Sequence, residues 1–202
     1  MSFNICQSAC YILLIFVFSN TPRIAFAQEE PARTLDIRIL ESIAETRTPA
    51  QNATFHFISD SHNYMQIAIP AGLFIAGAIS DDKQMRQNAG YVISSTAVTA
   101  LLNIGLKQVF KRSRPFKKYN NFTALATPGS FSFPSGHTSA AFSTATALSH
   151  AYPKWYVIAP AMLWAGSVGY SRMYLGVHYT SDVAAGAALG AGTALGMGFM
   201  KK

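Results

Sequence analysis

The chain has 202 residues, half of them hydrophobic, and only 12% are Asp, Glu, Lys or Arg, where a soluble domain carries about 25%. The net charge of +7 suits an anionic partner, either a phosphate or an acidic bilayer surface, while the absence of a nucleic-acid-binding motif around the basic residues argues against nucleic acid. Both cysteines, Cys6 and Cys10, lie in the N-terminal segment, so the remainder has neither a disulfide framework nor a cysteine metal site.

Residues 11–18 form a short apolar run, followed by Pro22 and by Ala25-Phe26-Ala27. The small residues at 25 and 27 predict cleavage after Ala27, which makes 1–27 a signal peptide; the lack of Lys or Arg before the run keeps an uncleaved membrane anchor as the alternative. Residues 28–64 read as an extracytoplasmic segment. Within it Leu35, Ile39, Leu40 and Ile43 recur at helical spacing with Asp36, Arg38 and Glu41 between them, which predicts an amphipathic helix on the bilayer or on the bundle. His56 and His62 have no partner at a motif spacing and read as surface or interface histidines.

Residues 65–202 read as the catalytic helical bundle. Five apolar stretches, 65–80, 89–106, 138–151, 155–170 and 182–199, are rich in the small residues that let membrane helices pack closely, and most are near the short end of a bilayer span. The predicted fold is all-α: a polytopic membrane helix bundle with five to six transmembrane helices, the alternative being a soluble all-helical core. Gly186, Gly190 and Gly192 predict close helix packing, and Trp155, Tyr156, Tyr170 and Tyr174 fit an interfacial aromatic belt.

Three polar stretches interrupt this pattern. Lys107 and Arg114 are seven residues apart at the end of the second apolar stretch, nearly one helical face while the helix continues, and Pro115 then turns the chain away from helix. Two cations there suit an oxyanion, or simply a helix dipole or lipid headgroup. Pro134-Ser135-Gly136-His137 directly precedes the third stretch, where Gly136 permits close backbone approach and a helix N-terminus makes an anion site. A turn and a helix cap would look the same. Arg172, His178 and Asp182 fall between the fourth and fifth stretches: a planar phosphate grip, a ring able to attack or carry a proton, and a carboxylate four residues on to hold that ring.

Together these residues, Lys107 with Arg114-Pro115, then Pro134-Ser135-Gly136-His137, then Ser171-Arg172 with His178 and Asp182, resemble the tripartite signature of the type 2 phosphatidic acid phosphatase superfamily. The resemblance covers residues 107 to 182 and implies a phosphatase that needs neither metal nor cofactor. It implies that His178 attacks phosphorus and becomes a phosphohistidine, that Asp182 orients it, and that His137 protonates the leaving oxygen and then activates water. Lys107, Arg114, Ser135, Gly136 and Arg172 would hold the phosphoryl oxygens. A neutral His178 and a protonated His137 predict a bell-shaped pH–rate profile.

Alternating helices bring the three motifs to one membrane face. Either reading of the N-terminus puts that face outside the cytoplasm, so the expectation is an integral protein of a bacterial inner membrane with a periplasmic active site. The positive-inside rule points the other way for the loop after Lys107, but at least two of its charges have a catalytic explanation. The expected substrate is a lipid phosphate monoester or diphosphate, of the undecaprenyl diphosphate, phosphatidic acid, phosphatidylglycerol phosphate or lipid A class. A soluble acid phosphatase or vanadium haloperoxidase shares the same pocket, and a non-catalytic protein binding anionic lipid is the alternative of another kind. The sequence names neither the lipid nor the oligomeric state.

Overall fold

The computed structural model describes residues 34–201, so the expected signal segment 1–27 lies outside the described residues. All regular structure among them is helical: α1 (Leu35–Glu45), α2 (Pro49–Ile79), α3 (Lys83–Phe110), the single turn α4 (Pro115–Lys118), α5 (Gly136–Ala151), α6 (Trp155–Tyr174) and α7 (Thr180–Gly196), with a 3₁₀ turn at Gly198–Met200. Local chemistry sets the ends. Thr48 Oγ1 accepts from Gln51 N with Pro49 in the first turn of α2, and Asp82 Oδ1 accepts from Met85 N at 2.9 Å to start α3. Lys111, in the left-handed conformation, stops α3.

Helix α5 is the centre, packed against α2, α3, α6 and α7. Its interior face is built of alanine, serine and threonine, so its neighbours come close. A Cβ on Gly190 of α7 would lie 2.2 Å from the Ser139 carbonyl oxygen, and one on Gly186 would lie 2.7 Å from that of Ser135. Towards α3, hydroxyls and an amide pair across the interface: Thr96 with Thr144 at 3.0 Å, Thr99 to Ser143 at 2.9 Å, and Asn103 to Ser139 at 3.1 Å. Such bonds satisfy groups that neither lipid nor a dry interior would, at roughly 0.6 kcal/mol each. Gly190→Ala should therefore cost about 1–3 kcal/mol by forcing α5 and α7 apart. Thermal unfolding in detergent checks this against Gly192→Ala, whose new methyl meets nothing within 4 Å.

Polarity is arranged inside out for a water-soluble protein. Ser, Thr, Asn and Arg side chains are buried, while Ile79 is 83% exposed and Leu101 70%, with Ile93, Ile104, Leu163 and Leu195 also facing outward. Among the described residues, two segments are suited by length and composition to cross a membrane, Lys83–Lys118 and Thr180–Met200. Helix α5, at 16 residues, is too short by that measure, and its polar residues face neighbouring helices.

Several sequence expectations change. The boundary at 64 falls inside α2, which runs unbroken for 31 residues from Pro49, so the polar stretch around His62 belongs to a bundle helix. Lys107 and Arg114 do not share a helical face, because α3 ends at Phe110 and Arg114 is delivered by the loop that follows. Tyr174 is 1% exposed and stacks at 4.1 Å on Phe55, with its hydroxyl donating to Asn52 at 3.0 Å, so it is a core residue rather than part of an aromatic belt.

Candidate active site

The site forms where the C-terminal ends of α3 and α6 meet the N-terminal ends of α5 and α7. Pro115 holds Arg114 in extended conformation (ψ 157°), which sends its side chain back over the bundle. The turn after α6 requires Gly176, with φ +73°; a Cβ there would also meet Phe122 at 2.8 Å and Arg47 Nη2 at 2.9 Å. Arg47 closes this corner by donating to the carbonyls of Tyr174 (2.9 Å) and Thr123 (2.7 Å). His178 follows directly.

His178 is 2% exposed. Arg114 Nη1 lies 3.2 Å from His178 Nε2 and donates to the Val177 carbonyl at 2.7 Å, while Nε and Nη2 grip the Ser130 carbonyl and hydroxyl. A guanidinium can only donate, so Nε2 carries the lone pair and the proton sits on Nδ1. Nδ1 faces both Asp182 Oδ2 and Ser132 Oγ at 3.5 Å, and Ser132 donates to Asp182 at 2.5 Å. The expected histidine–carboxylate pair is therefore long, and Ser132 stands beside it as a relay.

Asp182, at the third position of α7, is fully buried and heavily anchored. Arg112 Nη1 donates to Oδ1 at 2.6 Å and Tyr179 N to Oδ2 at 3.0 Å. Arg112 also donates to Asp36 of α1 at 2.8 Å and lies 3.9 Å above the Tyr179 ring. Asp36 in turn takes Ser181 N at 3.0 Å, so α1 is tied to the start of α7. The Ser181 hydroxyl and Arg112 beside it hold the Asp36 carboxyl below the usual range against its burial. Burial pushes the His178 imidazole down to about 3, reinforced by Arg114 and Arg172 and only partly opposed by Asp182. His178 is thus neutral at physiological pH.

The other sequence candidates surround this pair. His137 begins α5, and burial, reinforced by Arg172, His62, His178 and Arg114, pushes its imidazole well below the usual range. Arg172 is buried near the end of α6; it donates to the Ser59 hydroxyl through Nη1, and its Nε has no partner among the described residues. A buried unpaired guanidinium N–H is costly unless a ligand oxygen takes it. Lys107 Nζ donates to the Phe131 carbonyl at 2.5 Å, and its charge interacts with those of Arg114, Asp182 and Arg172. Gly136 lies against Asn103, where a Cβ would approach Oδ1 at 3.4 Å. The Ser135 hydroxyl is turned away to Thr138 Oγ1 at 2.8 Å, while Ser135 N donates to the Asp182 carbonyl at 3.1 Å, joining the second motif to the third. Among the described residues no group of three His, Cys, Asp or Glu is placed to hold a metal ion.

Sequence reasoning missed five participants: Asp36, Ser59, His62, Arg112 and Ser132. Arg112 was visible only as one charge in a basic run, and the others carry no spacing signal at all.

The model of the PAP2 superfamily, whose signature the three motifs resemble, matches residues 88–200. An undecaprenyl-diphosphatase of Sulfolobus acidocaldarius is 28% identical over 182 residues, 89% of this chain and 85% of that protein. Phosphatidylglycerophosphatase B of Bacillus subtilis is 38% identical over 101 residues, 45% of this chain and 46% of that protein. Among solved structures, Aquifex aeolicus LpxE aligns with a TM-score of 0.71 at 28% identity, covering 82% of this chain and 96% of that one. The transmembrane PAP2 type phosphatidylglycerolphosphate phosphatase of Bacillus subtilis aligns at 0.67 and 26% identity over 95% and 92%. With the family model covering more than half of the chain and the signature residues gathered at one end of the bundle, the protein belongs to the PAP2 superfamily and is a phosphoric ester hydrolase.

Proposed function

We propose that this protein hydrolyses a lipid phosphate monoester or diphosphate at the surface of a bacterial inner membrane through a phosphohistidine on His178. The observation that carries this reading is the placement of His178: Nε2 bears a free pair held only by Arg114 Nη1 at 3.2 Å, while Nδ1 faces Ser132 and Asp182. A phosphoryl group entering there takes Arg114 as an oxygen ligand and releases Nε2 to attack. Arg172 Nε, Lys107 and the first N–H groups of α5 supply further donors.

In the first step the His178 Nε2–phosphorus bond forms and the bond from phosphorus to the leaving oxygen breaks, with His137 giving that oxygen its proton. In the second, His137 takes a proton from water, the water oxygen bonds to phosphorus, and His178 leaves as a neutral ring. Fixed cations meet the charge on the equatorial oxygens throughout. The outward apolar girdle and the relatives named for undecaprenyl diphosphate, phosphatidylglycerophosphate and lipid A support a substrate whose tail lies in the bilayer. The same girdle disfavours a soluble acid phosphatase or haloperoxidase. An exported N-terminus followed by alternating helices would bring the site to the periplasmic side, which supports that assignment.

The test is phosphate release from a panel of lipid monophosphates and diphosphates, with pH as the second variable. One or more should turn over in the presence of chelator. Because burial keeps His178 neutral well below pH 5, kcat/KM corrected for substrate ionisation should show no acid limb between pH 5 and 7, while the alkaline limb, where His137 loses the proton it must donate, should be displaced below the ordinary imidazole range by burial and the Arg172 charge. The acid limb of the bell expected from sequence thus moves below pH 5. An acid limb centred near 6.5 would contradict the assignment of a buried, neutral attacker.

A further inference from the structure

The first half of α2 carries none of the signature residues and precedes the region matched by the family model, yet one of its turns enters the site. His62, 6% exposed, stacks on His137 with ring centroids 3.7 Å apart and 29° between the planes. Its Nδ1 donates to the Ser59 carbonyl at 2.9 Å, which fixes the ring. The hydroxyl of the same Ser59 receives Arg172 Nη1. The same turn is tied to α6 as well, since Ser61 accepts from Trp164 Nε1 at 3.0 Å.

We propose that the turn Ser59–His62 is a positioning element for the phosphatase reaction: His62 holds the His137 ring at the angle from which it protonates the leaving oxygen, and Ser59 holds Arg172 against the phosphoryl group. The proposal rests on the general-acid role given to His137 above. A flat neutral ring is the suitable neighbour for an imidazole that must gain and lose a proton. It restricts rotation about the side-chain bonds of His137, and its face accepts the positive charge when His137 is protonated. A second cation stacked at 3.7 Å would repel it, and burial disfavours charge on His62 despite the bond to Ser59. The charged and titratable groups around the stack are Arg172 and Asp60 on the His62 side and Arg172, Arg114 and His178 on the His137 side.

A proton donor matters in proportion to how poorly the leaving group departs without one. The test therefore compares kcat/KM for an alkyl phosphate and an aryl phosphate of matched chain length, in the full chain in detergent, for wild type, His62→Ala and His137→Ala. A partly inactive preparation lowers both rates equally and cancels in the ratio. The aryl-to-alkyl ratio should rise roughly tenfold in His62→Ala and roughly a hundredfold in His137→Ala, parts of the 10²–10⁴ that general acid catalysis supplies. A ratio raised in His137→Ala and unchanged in His62→Ala overturns the positioning role alone. A ratio unchanged in both overturns the general-acid role of His137 and this proposal with it. Should His62→Ala fail to fold, His62→Leu, which fills the space without an aromatic face, is read against the same outcomes.

Discussion

Replacing His178 with Ala should lower lipid-phosphate turnover by about four orders of magnitude or more and abolish any acid-labile, base-stable phosphoenzyme. The size of the effect follows from what is lost. His178 is the side chain whose lone pair faces the cationic pocket, and its backbone sits in a turn fixed by Gly176 and Arg47. Water attacking directly would have to do so without the covalent intermediate, leaving only the electrostatic help of Arg114, Arg172 and Lys107. Those cations remain in His178→Ala, so binding of vesicles containing lipid phosphate should persist while phosphate release disappears. That separation distinguishes an enzyme from a protein that merely binds anionic lipid: a variant retaining more than about a tenth of wild-type turnover would remove His178 from the chemistry.

The three motifs were legible because their chemistry fixes residue type and local spacing together. An arginine fork, an attacking ring and a carboxylate one helical turn apart are readable from 172 to 182 without coordinates. The helical character of the bundle was equally plain in its apolar periodicity, although the start of α2 was not. The turn Ser59–His62 looks like an ordinary polar stretch, and only the long-range contacts with Arg172 and His137 show that its polar groups face inward. Ser132 and Arg112 were hidden for a different reason. Their partner Asp182 is 50 and 70 residues away, and helix order alone does not say which side chain of a loop reaches it. The shared helical face for Lys107 and Arg114 held only while the helix continued, and α3 ends at Phe110, where Lys111 adopts a left-handed conformation.

Asp182→Asn should lower kcat by about 10²–10⁴ while still allowing slow formation of the phosphohistidine, a magnitude set by the cost of the corresponding change in other histidine–carboxylate sites. Every contact to the Asp182 carboxylate comes from a donor: Arg112 Nη1, the Ser132 hydroxyl and Tyr179 N. An asparagine must turn its NH₂ towards at least one of them. If it faces Ser132, the hydroxyl reverses and no longer accepts from His178 Nδ1–H, so the tautomer that puts a lone pair on Nε2 loses its support. If it faces Arg112, the guanidinium loses this partner and keeps Asp36 and Ser181. Either arrangement leaves His178 in place but incorrectly prepared, and the charge formed on its ring during attack has no carboxylate behind it. The signature is accordingly different from that of His178→Ala: stoichiometric phosphoenzyme after long incubation, with a depressed single-turnover rate. Turnover within about threefold of wild type would show that Ser132 and the surrounding dipoles orient His178 without the carboxylate, and Asp182 would then be a structural anchor for Arg112 and α1.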